Sequence, residues 1–571
     1  MTDLRTAHGL PSVLHALACS VPERAAVIHV HSPDADEDGH VEVSYAELDG
    51  RARRLAHALR DVVALAPGDR VLLLHPSGID FPVAFFGCLY AGLVAVPAPV
   101  PGANRRERLR LSGIVRQAGI HAVLTDDRNL DAVRSWAESE APGHVRVLST
   151  SGWPAADQPG VPAVSPPGLG PNSTALVQYT SGSTAEPKGV VISHRNLLYN
   201  VATMGEVFAL PSGARHGGWI PLYHDMGLVG HLLTGVLLGR GSVLMDPLAF
   251  VRRPHHWLRV VDRYDIGHSC APDFAYDLCV RRVDDEQAAG LDLSRWRYAV
   301  NGSEPVRATT LRAFAERFAR HGLRADAPAP CYGLAEATLY VSGTTGRRPV
   351  TRRLAADDRS GERELVSCGR PHGVDCLIVD PETGTPVPEG RAGEIWLRGP
   401  GVGQGYWGDP DATERTFGAR VPGAGEQRRL RTGDLGILLD GELFVTGRIK
   451  ETLLVSGRTV HPQDIEGELR YVHLELAALP GAAFTVPARR EGEILVVAHE
   501  VRGRLGPEES ARLAADMKRT VGREFGVAVG AVALLRRGTV RRTTSGKIQR
   551  GVMRELFLAG ALRPLFTDEV G

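Results

Sequence analysis

The sequence predicts an α/β protein in which a large N-terminal part of helix-covered sheets is followed by a small α+β unit. The chain has 571 residues, which is enough for more than one domain. From residue 44 to about 124, short apolar segments alternate with helical segments, a pattern typical of parallel sheets covered by helices. The composition changes again at residues 447–451. Residues 452–571 then alternate between strand and helix signals over a length that suits a small domain.

The first predicted helix begins after Ser44, because Ser44 and Glu47 have the spacing of a capping box. Strands and helices then alternate along the chain. The expected buried strands are 71–74, 93–98 and 122–124, and the expected helices are 80–92 and 105–117. Residues 151–173 are rich in Pro, Gly and Ser and are expected to form a loop.

Residues 350–366 are charged and show little periodicity, which predicts a solvated excursion without secondary structure. The segments after it have the apolar character and glycine turns of short strands, and these strands are expected at 375–379, 394–397, 437–439 and 443–445. In the C-terminal unit we expect strands near 452–455, 482–486 and 494–500, and helices near 463–470 and 508–524.

Composition excludes several classes of function. Lys plus Arg and Asp plus Glu both total 66, so no net charge draws the chain to nucleic acid or to an anionic membrane. The seven cysteines include no C-x-x-C pair, which favours reduced thiols in a cytoplasmic protein over a disulfide framework or a structural zinc site. Neither a leader peptide nor a membrane-spanning segment is expected, because charge, Gly or His interrupts every apolar window.

Residues 179–189 form a loop rich in glycine and hydroxyl groups, and such a loop can direct backbone N–H groups and hydroxyls at a phosphate chain. Apolar residues at 175–177 and 190–192 predict a strand on each side. This differs from a P-loop, which opens a helix. A polar surface turn would explain the small residues but not the lysine or the flanking strands. The candidate phosphate ligands are Thr180, Ser181, Gly182, Ser183, Thr184 and Lys188.

Five further segments carry residues suited to chemistry, and each has a simpler explanation when taken alone. His224, followed by Asp225, could be a core histidine, and Asp434 could stabilise a turn. Glu336 could pair locally, and Lys547 could be a solvated loop lysine. Their order along the chain favours the functional interpretation. The segments are 219–228, 301–305, 332–338, 431–436 and 542–547.

Taken together and in this order, the segments resemble the adenylate-forming superfamily of acyl- and aryl-CoA synthetases, luciferases and nonribosomal adenylation domains. The resemblance covers residues 44 to about 555. The sequences of segments 221–228, 332–339 and 461–466 are most similar to those of the fatty acyl-AMP ligase branch. Members of this branch activate fatty acids and pass them to acyl carrier proteins.

The resemblance also implies an architecture. A distorted barrel is expected beside the sheets of an N-terminal domain at 1–446. Residues 447–451 are then a hinge with Lys450 as its pivot, and residues 452–571 are a mobile domain.

The resemblance implies that the chain uses ATP and Mg²⁺. The 179–189 loop would hold the β- and γ-phosphates, and Glu336 would bind Mg²⁺ with Thr184 as a second ligand. Lys547 would supply the charge between the substrate carboxylate and the α-phosphate, and His224 would orient that carboxylate. The remaining ligands would flank the adenine (Ser303, Glu304, Pro305, Tyr332 and Gly333) or hold the ribose (Asp434 and Arg448).

The acceptor of the acyl group stays open. The fatty acyl-AMP ligase branch carries an inserted segment that here corresponds to 343–366. This segment is short, so a medium- or long-chain acyl-CoA synthetase is the alternative. An amino-acid adenylation role is disfavoured, because no carrier domain follows and no acidic anchor for an α-amine is evident. A non-catalytic nucleotide-binding protein is the second alternative. An acidic carrier protein could dock on a group of five arginines, although these residues could equally form a solvated face. They are Arg536, Arg537, Arg541, Arg542 and Arg550.

Overall fold

The computed structural model describes most of the chain, namely residues 3–34, 39–102, 105–141, 145–151, 170–180, 187–355, 362–423, 425–455, 458–487, 493–543 and 546–569. It confirms the predicted α/β class: two large sheets lie in the N-terminal part and a smaller sheet lies near the C-terminus. Among these residues, no helix combines the length and the apolar composition needed to cross a bilayer. The seven cysteines are all free thiols.

The first sheet has seven strands, and its parallel centre confirms the predicted strands at 71–74, 93–98 and 122–124. Only the strands at 189–193 and 405–406 run antiparallel to their neighbours. In spatial order the strands are Gly405–Tyr406, Gly189–Ser193, Thr174–Tyr179, Val94–Pro97, Arg70–Leu74, Ala122–Thr125 and Arg146–Ser149.

The second sheet has nine strands and is parallel through its middle, with antiparallel pairs at both edges. Aromatic residues pack on this sheet from the covering segments, and Trp257 and Trp296 pack edge to face at 5.2 Å. In spatial order the strands are Arg370–Pro371, Tyr340–Gly343, Pro328–Gly333, Tyr298–Asn301, Ile266–Ala271, Arg215–Gly218, Ser242–Met245, Ala25–Val30 and His40–Ser44.

A third, antiparallel sheet contains Asp375–Val379, Ala392–Arg398, Leu430–Leu439 and Glu442–Arg448, and it confirms the four strands expected there. Backbone hydrogen bonds from Cys368 to Leu443 and from Leu443 to Gly369 join it to the chain that enters the nine-stranded sheet. The resemblance leads us to expect the distorted barrel at this corner.

The expectation of a solvated excursion over 350–366 is wrong for its described residues. Thr351–Ala355 pairs antiparallel with Glu362–Val366 to form a hairpin. Leu365, which lies opposite Arg352 in the hairpin, packs against Ile437 and Phe444 of the third sheet. Val366 packs against Leu311, so each face of the hairpin carries an apolar anchor.

The C-terminal part has its own four-stranded sheet and its own buried clusters, whose members all lie between residues 455 and 562. All three predicted strands and both predicted helices are confirmed. The strand Val529–Leu535 and the helix Arg550–Leu558 were not predicted. The strands are Leu453–Val455 and Arg458–Val460 in a hairpin, and Gly481–Pro487, Glu493–Glu500, Val529–Leu535 and Phe566–Glu569 in the sheet.

Helices cover the sheets throughout. Ser44 caps its helix as predicted, accepting a hydrogen bond from the Glu47 amide at 3.2 Å while its own amide donates to the Glu47 carboxylate at 2.9 Å. The α-helices of the described residues are Leu10–Ser20, Tyr45–His57, Asp80–Tyr90, Arg105–Ala118, Leu130–Glu140, His194–Val207, Thr234–Leu237, Pro247–Arg252, His255–Arg263, Asp273–Arg282, Ala308–Ala319, Pro410–Phe417, Pro462–Val472, Pro507–Phe525 and Arg550–Leu558.

Candidate active site

One connected cavity of about 2130 Å³ lies where the sheets of the N-terminal part meet the C-terminal part. Pockets for a single drug-sized ligand hold roughly 300–1,000 Å³, so this space can take more than one molecule. Thirteen of the residues predicted from sequence line it: Thr180, Lys188, His224, Ser303, Glu304, Pro305, Tyr332, Gly333, Glu336, Asp434, Arg448, Lys450 and Lys547. The other four, Ser181, Gly182, Ser183 and Thr184, lie outside the described residues.

The predicted phosphate loop is held between two strands, as expected. Thr174–Tyr179 pairs antiparallel with Gly189–Ser193, and the Thr180 amide donates to the Lys188 carbonyl at 3.2 Å. Position 189 needs glycine, because a Cβ there would lie 2.5 Å from Val177. The two strand ends are therefore fixed, and they deliver Thr180 and Lys188 to the cavity.

Glu336 lies on a short turn after the Pro328–Gly333 strand and receives a hydrogen bond from the Tyr406 hydroxyl at 2.9 Å. The Lys188 ammonium lies 5.0 Å from the centre of the same tyrosine ring. Burial raises the pKa of Glu336 above the usual carboxyl range, so a nearby cation would stabilise its ionised form. A carboxylate in this setting fits Mg²⁺, which prefers oxygen ligands. Sequence reasoning missed Tyr406, which lies 70 residues further along the chain.

Asp434 is held from two sides and is only 3% exposed. Its carboxylate accepts one bond from Arg448 Nε and another from the Tyr332 hydroxyl, each at 2.7 Å. Asp434 and Arg448 are direct partners in the pairing of their two strands, which explains why the ion pair forms. A carboxylate has about four lone-pair sites, so Asp434 keeps acceptor capacity for the hydroxyls of a ribose.

The predicted adenine turn is strained and bound to its surroundings. Ser303 has φ of 69°, a left-handed conformation that is uncommon for a residue with a side chain. The Glu304 carboxylate accepts a hydrogen bond from the Phe274 amide at 2.6 Å, and burial raises its pKa. The Glu304 side chain therefore fixes the start of the Asp273–Arg282 helix, in addition to lining the cavity.

Lys547 enters the cavity from the C-terminal part, on a turn closed by two bonds with Thr543 at 2.8 and 3.0 Å. Burial lowers the pKa of Lys547 first and Arg448 lowers it further, while Asp225, Asp434 and Glu304 oppose them. Three carboxylates and one guanidinium therefore influence the charge of this ammonium group.

His224 and Asp225 form a pair beside this lysine. His224 Nδ1 lies 2.7 Å from an Asp225 oxygen, and the Met226 amide donates to that oxygen at 2.8 Å. Burial alone would raise the pKa of Asp225, but His224 and then Lys547 outweigh it, so the pKa lies below its usual range. The pair can therefore present a charge opposite to that of Lys547.

Apolar residues line the cavity beyond His224. Gly230 lets two of them pack closely behind the wall, since a Cβ there would lie 3.2 Å from Cys270 Sγ and 3.3 Å from Leu339. The wall of this pocket is formed by Met204, Phe208, Met226, His268, Cys270, Val300, Cys331, Leu339 and Tyr340. The sequence did not identify these side chains, because they come from separate strands and helices.

The five arginines of the predicted docking surface lie in different environments. Arg536, Arg537, Arg541 and Arg542 are exposed. Arg550 instead binds Glu451 at 2.5 Å and Glu466 at 2.8 Å. Arg550 is therefore held by one carboxylate of the expected hinge and one of the C-terminal part, and its role in carrier docking stays a prediction.

Comparisons with known proteins cover nearly the whole chain. The family model for AMP-binding enzymes matches residues 16–407. The chain is 38% identical over 552 residues to the medium-chain-fatty-acid–acyl-carrier-protein ligase JamA of Moorena producens, with 92% of each chain covered. It is 37% identical over 582 residues to the 4-hydroxyphenylalkanoate adenylyltransferase of Mycobacterium tuberculosis, which covers 96% of this chain and 91% of that protein. The structure of a fatty acyl-adenylate ligase from L. pneumophila with acyl adenylate and pyrophosphate matches at a TM-score of 0.75 and 32% identity, covering 100% of this chain and 99% of that one.

Proposed function

The chain belongs to the AMP-binding enzyme family, and we propose that it is a fatty acid–AMP ligase that passes its product to an acyl carrier protein. It converts a fatty acid and ATP into acyl-adenylate and pyrophosphate, and the acyl group then moves to a phosphopantetheine thiol. The observation that carries this proposal is that Lys547 lines the same cavity as His224, Asp434 and Arg448. The reduced cysteines and the use of ATP suit a cytoplasmic enzyme.

In the first step a carboxylate oxygen of the fatty acid bonds to the α-phosphorus of ATP, and the bond from that phosphorus to pyrophosphate breaks. Both reactants are anionic, so positioning and positive charge supply most of the catalysis. Lys547 offsets the negative charge that collects between the two groups. The Asp434–Arg448 pair and Tyr332 hold the nucleoside, and His224 orients the substrate carboxylate.

Mg²⁺ fits the carboxylate of Glu336, with Thr184 as the second proposed ligand. When bound, the ion neutralises negative charge on the phosphates of ATP. Lys188 adds positive charge at the same end of the nucleotide, beside Tyr406.

In the second step a thiol sulfur bonds to the acyl carbon, the bond from that carbon to AMP breaks, and the thiol proton is released. The thiol needs space that Lys547 occupies. We therefore propose that residues 452–571 rotate about a hinge at 447–451, with Lys450 as its pivot, and withdraw Lys547. Separate buried clusters on the two sides of the hinge support a rigid-body movement.

The first step is tested by pyrophosphate exchange with a panel of carboxylic acids. The panel includes medium-chain fatty acids and hydroxyphenylalkanoic acids, because the relatives are named for both. Lys547→Gln should slow exchange by ~10²–10³-fold. The matched control is Lys518→Gln, since Lys518 pairs with Asp568 at 3.0 Å within the C-terminal part and should leave exchange unchanged. If no acid supports exchange in the unmodified protein, the non-catalytic alternative replaces the enzyme proposal.

The acceptor is tested by product analysis with coenzyme A and, separately, with a phosphopantetheinylated carrier protein. We expect the acyl group to reach the carrier protein much faster than coenzyme A. Comparable rates with both acceptors would favour the acyl-CoA synthetase alternative.

A further inference from the structure

The helix Arg105–Ala118 packs against both ends of the predicted phosphate loop. At the first end, the Arg110 guanidinium donates a hydrogen bond to the Thr180 carbonyl at 2.6 Å. At the other end, a Cβ at Gly113 would lie 3.7 Å from the ring of Pro187. The helix therefore holds Arg110 at the base of the loop.

Backbone pairing brings Arg110 close to Lys188. The Thr180 amide donates to the Lys188 carbonyl at 3.2 Å, and the carbonyl of the same Thr180 accepts the hydrogen bond from Arg110. Both basic side chains line the cavity. Two positive charges are therefore placed where the chain enters and leaves the loop.

The other end of the same helix is anchored beside the proposed Mg²⁺ ligand. The Gln117 side chain accepts a hydrogen bond from the Tyr179 hydroxyl and donates one to the Trp407 carbonyl. Trp407 directly follows Tyr406, whose hydroxyl binds Glu336 at 2.9 Å. One helix thus contacts the phosphate loop and the segment that supports Glu336, so the position of Arg110 is fixed relative to both.

The charge of Arg110 is not neutralised by an ion pair within the described part of the chain. Two other arginines that line the cavity are bonded to carboxylates, Arg307 to Asp273 at 2.8 Å and Arg431 to Glu394 at 2.8 Å. Arg110 has a carbonyl oxygen as its hydrogen-bond partner instead. A guanidinium has five N–H donors, so several remain for a ligand in the cavity.

Arg110 is half-buried, which makes an uncompensated charge unfavourable. Burial lowers the pKa of its guanidinium, while Tyr223 and Glu107 oppose that shift. An arginine stays protonated in proteins, so the fold carries the cost of burying this charge. An anion supplied by the substrate would offset that cost.

We propose that Arg110 binds the pyrophosphate part of ATP directly, together with Lys188. The inference rests on the proposed function and adds a phosphate ligand that lies outside the 179–189 loop. A planar guanidinium can form two parallel hydrogen bonds to phosphate oxygens, whereas a lysine acts as a point charge. Arg110 therefore orients the pyrophosphate as well as attracting it.

The test measures KM for pyrophosphate and KM for the carboxylic acid separately in the exchange reaction. Arg110→Gln keeps a donor for the Thr180 carbonyl but removes the charge. It should raise KM for pyrophosphate by ~10–100-fold, the effect of losing a hydrogen bond to a charged group, and leave KM for the acid unchanged. Arg110→Lys keeps the charge but not the planar group, so its KM for pyrophosphate should be intermediate. The matched control is Arg116→Gln, since Arg116 is exposed on the same helix and should leave both KM values unchanged.

A second measurement distinguishes a binding role from a structural one. Transfer of the acyl group from preformed acyl-adenylate to the thiol involves no pyrophosphate, so its single-turnover rate should be the same in Arg110→Gln and in the unmodified protein. A slower transfer would mean that Arg110 only supports the fold near Thr180. An unchanged KM for pyrophosphate would mean that Arg110 binds no phosphate. Either result overturns the inference and leaves the proposed function intact.

The proposed function itself fails if no acid supports exchange in the unmodified protein. Calorimetric titration with inorganic pyrophosphate then still tests Arg110, because the affinity should fall by the same ~10–100-fold in Arg110→Gln and stay unchanged in Arg116→Gln. Equal affinity in all three proteins would overturn the inference.

Discussion

At the scale of single residues, the charge of Lys547 depends on its neighbours. Burial lowers its pKa below the ordinary lysine value of 10.5, and Asp225 is the first of the carboxylates that oppose this shift. If the ammonium form is the active one, exchange should decline as pH rises through this lowered pKa. Asp225→Asn removes a negative charge, so the lysine pKa should fall further and the alkaline limb of the pH profile should move to lower pH.

The measurement is kcat/KM for pyrophosphate exchange as a function of pH, and the readout is the position of the limb. Asp225 itself has a lowered pKa, so its own stabilising contribution is lost only as pH falls through that value and does not disturb the alkaline side. Lys547→Gln should abolish the limb. A limb that stays in place in Asp225→Asn would show that another group causes it.

Sequence reasoning found the residue types of the site but not their partners. Lys547, Asp434 and Glu336 stand in recognisable local patterns. The Tyr406 hydroxyl that binds Glu336 and the Phe274 amide that binds Glu304 do not, because the contacts join residues 70 and 30 positions apart. Arg550 shows the same limit: its local sequence is typical of a basic face, and only the folded chain reveals its two carboxylate partners.

At the scale of secondary structure, the hairpin formed by Thr351–Ala355 and Glu362–Val366 supports the strand that leads into the proposed hinge. Leu365 packs on Phe444, and that strand, Glu442–Arg448, runs directly into residues 449–451. On its other side, Val366 packs on Leu311. The hairpin thus links a helix of the N-terminal part to the strand before the hinge, and it should restrict how far the C-terminal part can turn.

Removing the hairpin should relax that restriction. Thr351 and Val366 lie opposite each other at the base of the hairpin, so an Asn-Gly dipeptide in place of residues 352–365 can join them by a tight turn. We expect pyrophosphate exchange to persist and acyl-CoA formation to rise at least ~5-fold, the effect of ~1 kcal/mol on the equilibrium between domain orientations. The measurement is acyl-CoA produced per acyl-adenylate formed.

Arg312→Ala is the control for that change. It breaks only the exposed contacts of Arg312 with Glu364, at 2.9 and 3.1 Å, and keeps the apolar anchor. Exposed ion pairs contribute little, so acceptor choice should stay as in the unmodified protein. If hairpin removal leaves acyl-CoA formation unchanged, the hairpin does not control the acceptor.

The hairpin also shows where prediction of elements from sequence fails. Long elements such as Arg105–Ala118 and Pro507–Phe525 have strong helical periodicity, and both were predicted within two residues at each end. The hairpin strands have five residues each, and the adjacent Arg352 and Arg353 place charge on both faces of the first strand. Such a short strand without a regular alternation cannot be distinguished from a polar loop, because its strand character depends on the surface it packs on.

At the scale of the whole molecule, two arginines of like charge meet where the C-terminal part lies against the N-terminal part. A Cβ at Gly467 would lie 3.9 Å from Arg307, which places the helix Pro462–Val472 beside that residue. Burial lowers the pKa of Arg470, on this helix, to about 10, and Arg307 is the next largest cause. This orientation of the two parts is therefore opposed first by the burial of the Arg470 charge and then by repulsion from Arg307, which is half-buried and paired with Asp273 at 2.8 Å.

Arg470→Gln should favour the orientation in which Lys547 lies inside the cavity, because a neutral side chain removes both the burial cost and the repulsion. A population shift of ~1 kcal/mol changes the ratio of the two orientations about fivefold. We expect the rate of pyrophosphate exchange, divided by the single-turnover rate of transfer from preformed acyl-adenylate to the thiol, to rise by about that factor. Arg512→Gln removes an exposed charge from the neighbouring helix Pro507–Phe525 and should leave this quotient unchanged. If the quotient falls in Arg470→Gln, then the attraction of Arg470 to Asp277 and Glu304 is stronger than its repulsion by Arg307. In that case Arg470 holds the two parts together.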